Sequence, residues 1–186
     1  IKPDYIFNLA AMSHVKTRFD IPIYTIDINA TGTLRLLEAI RTNDLQNITK
    51  FYQASTSEMF GNNNTKKQNE ESRFDPVSPY GVSKLYSYFI TKVYRNSYNI
   101  FASNGILFNH ESPHRGETFV TRKITRGAVS IVKFNSKAIE LGNLNSVRDW
   151  GHASDYCEAM YKIISQKKSD DFVISSDKVL SVRDFC

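Results

Sequence analysis

Apolar residues recur along this chain in two spacings, which predict alternating strands and helices. Continuous apolar runs at residues 5–10, 51–54 and 100–108 are typical of buried parallel strands. Between them, residues 22–42 and 80–98 carry apolar side chains at helical spacing. The order strand, helix, strand, helix, strand predicts an α/β fold with a Rossmann-like parallel sheet and helices on both faces.

The helical spacing also predicts which side chains face the core. In the first helix these are Ile28, Leu34, Leu37 and Ile40. In the second helix they are Leu85, Phe89, Val93 and Tyr94.

The composition changes after Asn109. The predicted elements there are a helix at 118–133, a strand at 138–141, a turn-rich loop at 143–151, a helix at 153–165 and a strand at 172–175. In the helix at 153–165, the inward residues are Tyr156, Met160, Ile163 and Ile164. We therefore divide the chain into a partial domain, residues 1–108, and part of a smaller lobe, residues 109–186. Residues 62–72 are polar and predict an exposed loop.

Charge and cysteine content narrow the classes of partner. Lys plus Arg number 24 and Asp plus Glu 19, a net charge of +5. This mild excess suits an anionic small molecule, and no basic run with interleaved aromatics favours nucleic acid. Cys157 and Cys186 show no metal or redox spacing, which predicts no metal site and a reducing, cytoplasmic location. No apolar run approaches the ~20 residues that span a bilayer, so we expect no membrane segment.

The glycines bear on cofactor binding. A dinucleotide-binding sheet usually begins with a Gly-rich turn under the pyrophosphate. None of the eight glycines here forms a G-x-G spacing. The chain also opens directly in a predicted strand and ends in what resembles the first turn of a helix. We interpret it as a fragment, and expect any phosphate loop to lie upstream of Ile1.

Polar loops follow three predicted strands, at residues 10–15, 55–58 and 109–115. Ligands bind outside the carboxyl ends of parallel strands, so these loops predict one site. Tyr80 and Lys84 stand one helical turn apart at the start of the second helix. The ammonium and the helix N-terminus favour a phenolate there. Such a phenolate can take a proton from a sugar hydroxyl while hydride leaves the same carbon.

Two further features bear on this chemistry. Tyr88 and Lys92 repeat the spacing, but they lie two turns away from the strand ends, so we assign them to structure. Glu58 is either a solvated loop residue or a base that removes an acidic proton beside a ketone. Thr56 either hydrogen-bonds the oxygen being oxidised or caps a turn.

Six blocks carry a family resemblance. They are Ser13-His14-Val15-Lys16, Phe51 to Glu58, Ser78-Pro79-Tyr80-Gly81 with Lys84, Gly105 to Pro113, Phe119 to Ile124, and Arg148 to His152. In these blocks the chain resembles the extended short-chain dehydrogenases/reductases, and among them the GDP-mannose 4,6-dehydratase family. The resemblance covers nearly the whole chain and corresponds to the middle of such an enzyme.

The resemblance implies a hydro-lyase of nucleotide-sugar metabolism that works on the route to GDP-fucose. It would convert GDP-mannose to GDP-4-keto-6-deoxymannose by C4 oxidation, C5–C6 elimination and C6 reduction on bound NADP. The implied catalytic residues are Thr56, Glu58, Tyr80 and Lys84. The implied NADP site contains Leu9, Ala10, Ala11, Met12, Ser13, Tyr24, Tyr80, Lys84, His110 and Arg115. The expected GDP-sugar contacts are Asn109, Val120, Lys123, Asn143 and Arg148. A homo-oligomer, dimer or tetramer, is also expected.

Two alternatives stay open. A related nucleotide-sugar epimerase or 4-reductase would share the Tyr-x-x-x-Lys pair but would not need a base at Glu58. A non-catalytic binding or structural fragment would explain the missing Gly-rich loop. In either case, residues 1–186 alone are expected neither to bind NADP tightly nor to turn over.

Overall fold

The computed structural model describes residues 1–15, 17–62, 67–135 and 137–186. The strands are β1 (Tyr5–Asn8), β2 (Lys50–Thr56), β3 (Ala102–Leu107), β4 (Asn109–Glu111), β5 (Val147–His152), β6 (Asp171–Ile174) and β7 (Val179–Ser181). The α-helices are α1 (Thr17–Asp20), α2 (Pro22–Ile26), α3 (Gly32–Thr42), α4 (Pro79–Tyr98), α5 (Val120–Phe134), α6 (Ala153–Ile164) and α7 (Val182–Phe185). A π-helical segment (Asp27–Thr31) joins α2 to α3, and a 3₁₀ turn (Ser57–Met59) follows β2.

The first compact unit contains residues 1–107 and 158–174. Its four strands form a parallel sheet in the order β1-β2-β3-β6. All residues of β3 and all but the first residue of β2 are buried, as expected for central strands. The predicted Rossmann-like parallel sheet with intervening helices is therefore confirmed.

The second compact unit contains residues 108–157 and 175–186. In it β5 pairs with β4 in parallel and with β7 in antiparallel orientation. This differs from the division of the chain at residues 108 and 109. Residues 158–174 return to the first unit, because β6 pairs with β3 there.

The core of the first unit packs α3 and α4 against the sheet. Leu37 and Ile40 of α3 are almost fully buried and belong to one cluster with Phe51, Tyr94 and Ile100. The four residues predicted to point inward from α6 are also buried; they are Tyr156, Met160, Ile163 and Ile164. In both helices the apolar spacing identified the buried face correctly.

On α4 the apolar spacing was right for Tyr94, which is buried, and wrong for two other residues. Phe89 and Val93 were predicted to lie in the core, but they are 50% and 48% exposed. The buried face instead carries Ser83, Ser87 and Thr91. Each hydroxyl donates to a helix carbonyl one turn back. Small, internally satisfied side chains let α4 approach its neighbours closely at little cost in unpaired polar groups.

Two predicted strands also need correction. Strand β1 ends at Asn8 rather than at residue 10, and Tyr5 and Phe7 are exposed, because β1 is the edge of the described sheet. Residues 138–141 form no strand. Ile139 lies against Gly127 of α5, where an added Cβ would approach Ile139 to 2.5 Å.

The predicted exposed loop at 62–72 is only partly visible, since residues 63–66 lie outside the described residues. Of the remainder, Asn62, Asn69, Glu70 and Glu71 are exposed. Over the described ranges, no helix has the length and apolarity needed to cross a membrane.

Candidate active site

The site begins where β2 ends. Thr56 closes the strand, and its hydroxyl accepts a hydrogen bond from the backbone N–H of Glu58 at 3.3 Å. This bond caps the 3₁₀ turn, so the structure shows Thr56 in the capping role. Met59 at the end of the turn and Phe60 directly after it are buried and anchor it. Glu58 is left facing outward, with 42% of its side chain exposed.

The start of α4 lies against the same turn. Ser78 is the N-cap of α4, and its hydroxyl accepts from the backbone N–H of Gly81 at 3.0 Å. The same hydroxyl lies 3.3 Å from Oε2 of Glu58 and donates to it. A Cβ added at Gly81 would lie 3.0 Å from the carbonyl oxygen of Glu58. Glycine therefore permits the close approach that joins the helix start to the carboxylate.

Tyr80 and Lys84 lie on one side of the first turns of α4. The Nζ atom of Lys84 is 5.9 Å from the centre of the Tyr80 ring. It also donates to the carbonyl oxygen of Ala54 in β2 at 2.9 Å. Lys84 is only 2% exposed, and this burial lowers its pKa to about 8. The ammonium near Tyr80 therefore titrates close to neutral pH.

The second Tyr-x-x-x-Lys pair has a structural role, as predicted. The hydroxyl of Tyr88 donates to Oδ2 of Asp171 at 3.0 Å, and Lys92 pairs with the same carboxylate at 3.1 Å. Burial, and then the charge of Asp171, raises the pKa of Tyr88. This phenol stays protonated and joins α4 to β6.

Arg18 belongs to the site but was missed in the sequence. Its Nη1 atom lies 2.8 Å from both carboxylate oxygens of Glu58. Its Cζ atom is 5.3 Å from the centre of the Tyr80 ring. A single arginine in a one-turn helix carries no spacing signal, so only the fold could reveal this contact.

Asn29 was also missed. It is buried in the π-helical segment and exchanges two hydrogen bonds with the backbone of Met12, at 2.8 and 3.3 Å. Its side-chain amide also donates to Ser83 of α4. Asn29 thus fixes the loop after β1 relative to the start of α4. π-Helical segments often occur at functional positions. The apolar spacing of the sequence does not predict such a segment, so it could not identify Asn29.

The remaining predicted cofactor residues of the first unit follow the carboxyl end of β1. Leu9 and Ala10 are exposed, the next three are partly buried, and Tyr24 of α2 is 50% exposed. The loop 9–13 is therefore held by its backbone, through Asn29, while leaving its first side chains accessible.

The predicted residues of the second unit fall into a partly buried and an exposed group. The His110 ring stacks on Tyr156 with 4.5 Å between the ring centres, and burial lowers the pKa of His110. Arg115 pairs with Glu111 at 3.1 Å and covers the Phe119 ring. Asn109 lies on β4 and Val120 begins α5, both partly buried. The exposed group is Lys123, Asn143 and Arg148.

A metal-based chemistry has no candidate within the described ranges, where no three His, Cys, Asp or Glu side chains are grouped so as to hold an ion. The chemistry available at the end of β2 is instead that of a carboxylate, a phenol and two cations. Such a set can move protons and stabilise negative charge on oxygen.

Solved structures with a similar fold include RMD from Pseudomonas aeruginosa, in complex with NADPH. It is 24% identical with a TM-score of 0.89, over 98% of this chain and 63% of that one. DesIV, a dTDP-glucose 4,6-dehydratase from Streptomyces venezuelae with NAD and TYD bound, is 22% identical with a TM-score of 0.87, over 97% and 54% of the two chains. At these identities the likeness shows the fold alone.

Sequence relatives are much more similar. GDP-mannose 4,6 dehydratase 2 of Caenorhabditis elegans is 55% identical over the whole chain, and GDP-mannose 4,6 dehydratase of Homo sapiens is 52% identical over 185 residues. The chain spans about half the length of these relatives, 49% and 50% respectively. The family model described as GDP-mannose 4,6 dehydratase matches residues 1–186. The chain therefore belongs to the GDP-mannose 4,6 dehydratase family.

Proposed function

We propose that the protein carrying this chain converts GDP-mannose to GDP-4-keto-6-deoxymannose with loss of water, using bound NADP. The observation that carries this proposal is the pairing of Glu58 with the start of α4. The Ser78 hydroxyl at the start of α4 donates to the Glu58 carboxylate, and Tyr80 and Lys84 lie on the first turns of the same helix. Glu58 can therefore act on a second carbon of the sugar, next to the one on which Tyr80 acts. Family membership and relatives of that name support the choice of sugar nucleotide.

The first unit fits the nicotinamide half of such a cofactor. A buried ammonium and a phenol lie on one side of a helix start, at the carboxyl end of a parallel strand. We propose that Lys84 and Tyr80 hold the nicotinamide ribose and that the loop 9–13 and Tyr24 line the site. In the second unit we propose His110 and Arg115 for the cofactor, and Asn109, Val120, Lys123, Asn143 and Arg148 for the GDP-sugar. The choice of NADP rests on the family resemblance, since one of the two fold neighbours is a complex with NADPH and the other a complex with NAD.

The proposed role of each residue follows from the proton that it accepts or releases. When bound, the nicotinamide cofactor supplies the hydride acceptor at C4 and the hydride donor at C6. Tyr80 takes the C4 hydroxyl proton. Before that transfer, the Lys84 ammonium stabilises the negative oxygen of the Tyr80 phenolate. Thr56 polarises the C4 oxygen. The ketone acidifies the C5–H bond, and Glu58 takes that proton as the C6–O bond breaks. Tyr80 and Glu58 then each hold one proton. One of these protons leaves with the C6 hydroxyl as water, and the other returns to C5.

The test is Glu58→Gln in the intact protein, with GDP-mannose and NADP. We expect NADP to bind as before and product formation to fall ~10²–10⁴-fold, the usual contribution of a general base. Glu71→Gln is the matched control, since it removes an exposed carboxylate from the neighbouring loop. Unchanged release of a 4-keto-6-deoxy sugar by the Glu58 variant would reject this role.

The alternative is an epimerase or 4-reductase, which is favoured by the same Tyr80 and Lys84 geometry. It predicts that wild-type protein yields a C4 epimer or alcohol and that the Glu58 variant is unimpaired. Product analysis by NMR separates the two functions.

We also propose a cytoplasmic homo-oligomer, a dimer or tetramer. Both cysteines are free in the described chain, which fits a reducing compartment. An exposed apolar stripe runs along α4; its residues are Val82, Tyr86, Phe89 and Val93. Such a stripe suits contact with a second copy. Light scattering of the intact protein measures its mass directly.

A further inference from the structure

Arg18 holds the proposed base. It lies on α1, shortly after the loop that follows β1. Its Nη1 atom is 2.8 Å from Oε1 and 2.8 Å from Oε2 of Glu58. Charge-assisted hydrogen bonds of this length are about twice as strong as neutral ones. The carboxylate is therefore bound at both oxygens by one cation.

The two partners differ in exposure, and this difference decides the role of the pair. The Arg18 side chain is 9% exposed, whereas the Glu58 side chain is 42% exposed. An ion pair exposed on the surface would leave both side chains mobile and contribute little to stability. Here the cation is fixed in the fold and the carboxylate reaches toward solvent from it. The Ser78 hydroxyl holds Oε2 from a second side at 3.3 Å.

The guanidinium also contacts the second group of the proposed mechanism. Its Cζ atom lies 5.3 Å from the centre of the Tyr80 ring and 5.7 Å from that of Phe19. These aromatic faces favour a cation and restrict the guanidinium plane. Arg18 thus lies between the carboxylate proposed to act at C5 and the phenol proposed to act at C4.

We propose that Arg18 is a positioning residue for the elimination step, acting by holding the Glu58 carboxylate in the orientation that accepts the C5 proton. This inference rests on the proposed function. In that step the C5–H bond breaks and its proton goes to Glu58, while the electron pair forms the C5–C6 double bond. The C6–O bond breaks, and the hydroxyl leaves as water with one of the two protons held on Tyr80 and Glu58. When Glu58 takes up the proton, it loses the negative charge that Arg18 binds. The ion pair is therefore strongest while Glu58 is an unprotonated carboxylate, which is the state that must be oriented toward the C5 proton.

The test compares Arg18→Met with Arg18→Lys in the intact protein loaded with NADP. A single turnover with GDP-mannose is followed by the near-ultraviolet absorbance of reduced nicotinamide and by NMR of the product. For Arg18→Met we expect oxidation at C4 to proceed within about threefold of wild type while product formation falls ~10²-fold, the scale of a misplaced catalytic group. Reduced nicotinamide should therefore accumulate. Because one nitrogen contacts both oxygens, Arg18→Lys should recover part of the loss, about tenfold.

Two controls separate positioning from a general structural effect. Arg35→Met removes an exposed arginine that pairs with Asp27 and should change neither rate. In a Glu58→Gln background, adding Arg18→Met should cause no further fall in product formation, because Arg18 acts through Glu58.

Three outcomes would overturn the inference. They are equal loss of C4 oxidation and elimination in Arg18→Met, no loss of either, or a full further loss in the Glu58→Gln background. Failure of the proposed function looks different, since wild-type protein would then give no 4-keto-6-deoxy product.

Discussion

Replacing Lys84 by methionine should change how the stability of the protein depends on pH. Lys84 is 2% exposed and its only described acceptor is the carbonyl oxygen of Ala54, which is uncharged. Burial without a carboxylate disfavours the ammonium and lowers the pKa of Lys84 from 10.5 to about 8. Methionine keeps much of the apolar stem and removes the ionisable group.

The sign and size of this pH dependence follow from the number of protons that the native and the unfolded states bind. Between pH 8 and 10.5 the unfolded chain keeps the Lys84 proton while the native protein has released it. Stability therefore rises with pH across this window, and below pH 8 the full cost of the buried charge is present. One pKa unit corresponds to about 1.4 kcal/mol, so the total change is about 3 kcal/mol. Near-complete burial means that solvent screening reduces it little.

The assay is urea denaturation of wild type and Lys84→Met from pH 7 to 10.5, at one protein and cofactor concentration. Titrations common to both proteins cancel in the difference. The free energy of unfolding of wild type, minus that of the variant, should rise by about 3 kcal/mol across the window. A flat or falling difference would refute the conclusion that Lys84 is a buried cation without a compensating charge.

Three more substitutions test the division between site and scaffold. Tyr80→Phe should reduce product formation ~10²–10⁴-fold with little change in stability. Tyr88→Phe is its matched control and should leave turnover unchanged while costing about 1 kcal/mol, since it loses the bond to Asp171; the reverse pattern in turnover assays and melting curves would exchange their roles. Ser78→Ala should cost about 1 kcal/mol in urea denaturation through loss of the α4 cap, and an unchanged midpoint would contradict that role.

The predicted fold was right where apolar side chains decide the packing. The α/β order, the central strands and the inward face of α6 all follow from such residues. The prediction was wrong for Phe89 and Val93 of α4, because part of the buried face of this helix carries hydroxyls that bond within the helix. Apolar spacing cannot detect a face of that kind. The strand predicted at 138–141 is absent, and Ile139 of this segment packs on Gly127 of α5.

For the site, the sequence identified groups at element ends but not the contacts between elements. Glu58, Tyr80 and Lys84 stand at a strand end and a helix start, where local pattern is informative. Arg18 is 40 residues from Glu58 in the chain, and Asn29 acts on the backbone of Met12. Such partners become visible only once β1, β2 and α4 are folded together.

The most direct test of the proposed function is one incubation of the intact wild-type protein with GDP-mannose and NADP in deuterium oxide, read by NMR. Because the Glu58 side chain is 42% exposed, a proton held there should exchange with solvent before it returns to the sugar. The proposed function predicts a 4-keto-6-deoxy sugar nucleotide with deuterium at C5 and the original C4 hydrogen at C6. Unchanged GDP-mannose, or a C4 epimer without deuterium at C5, would contradict it.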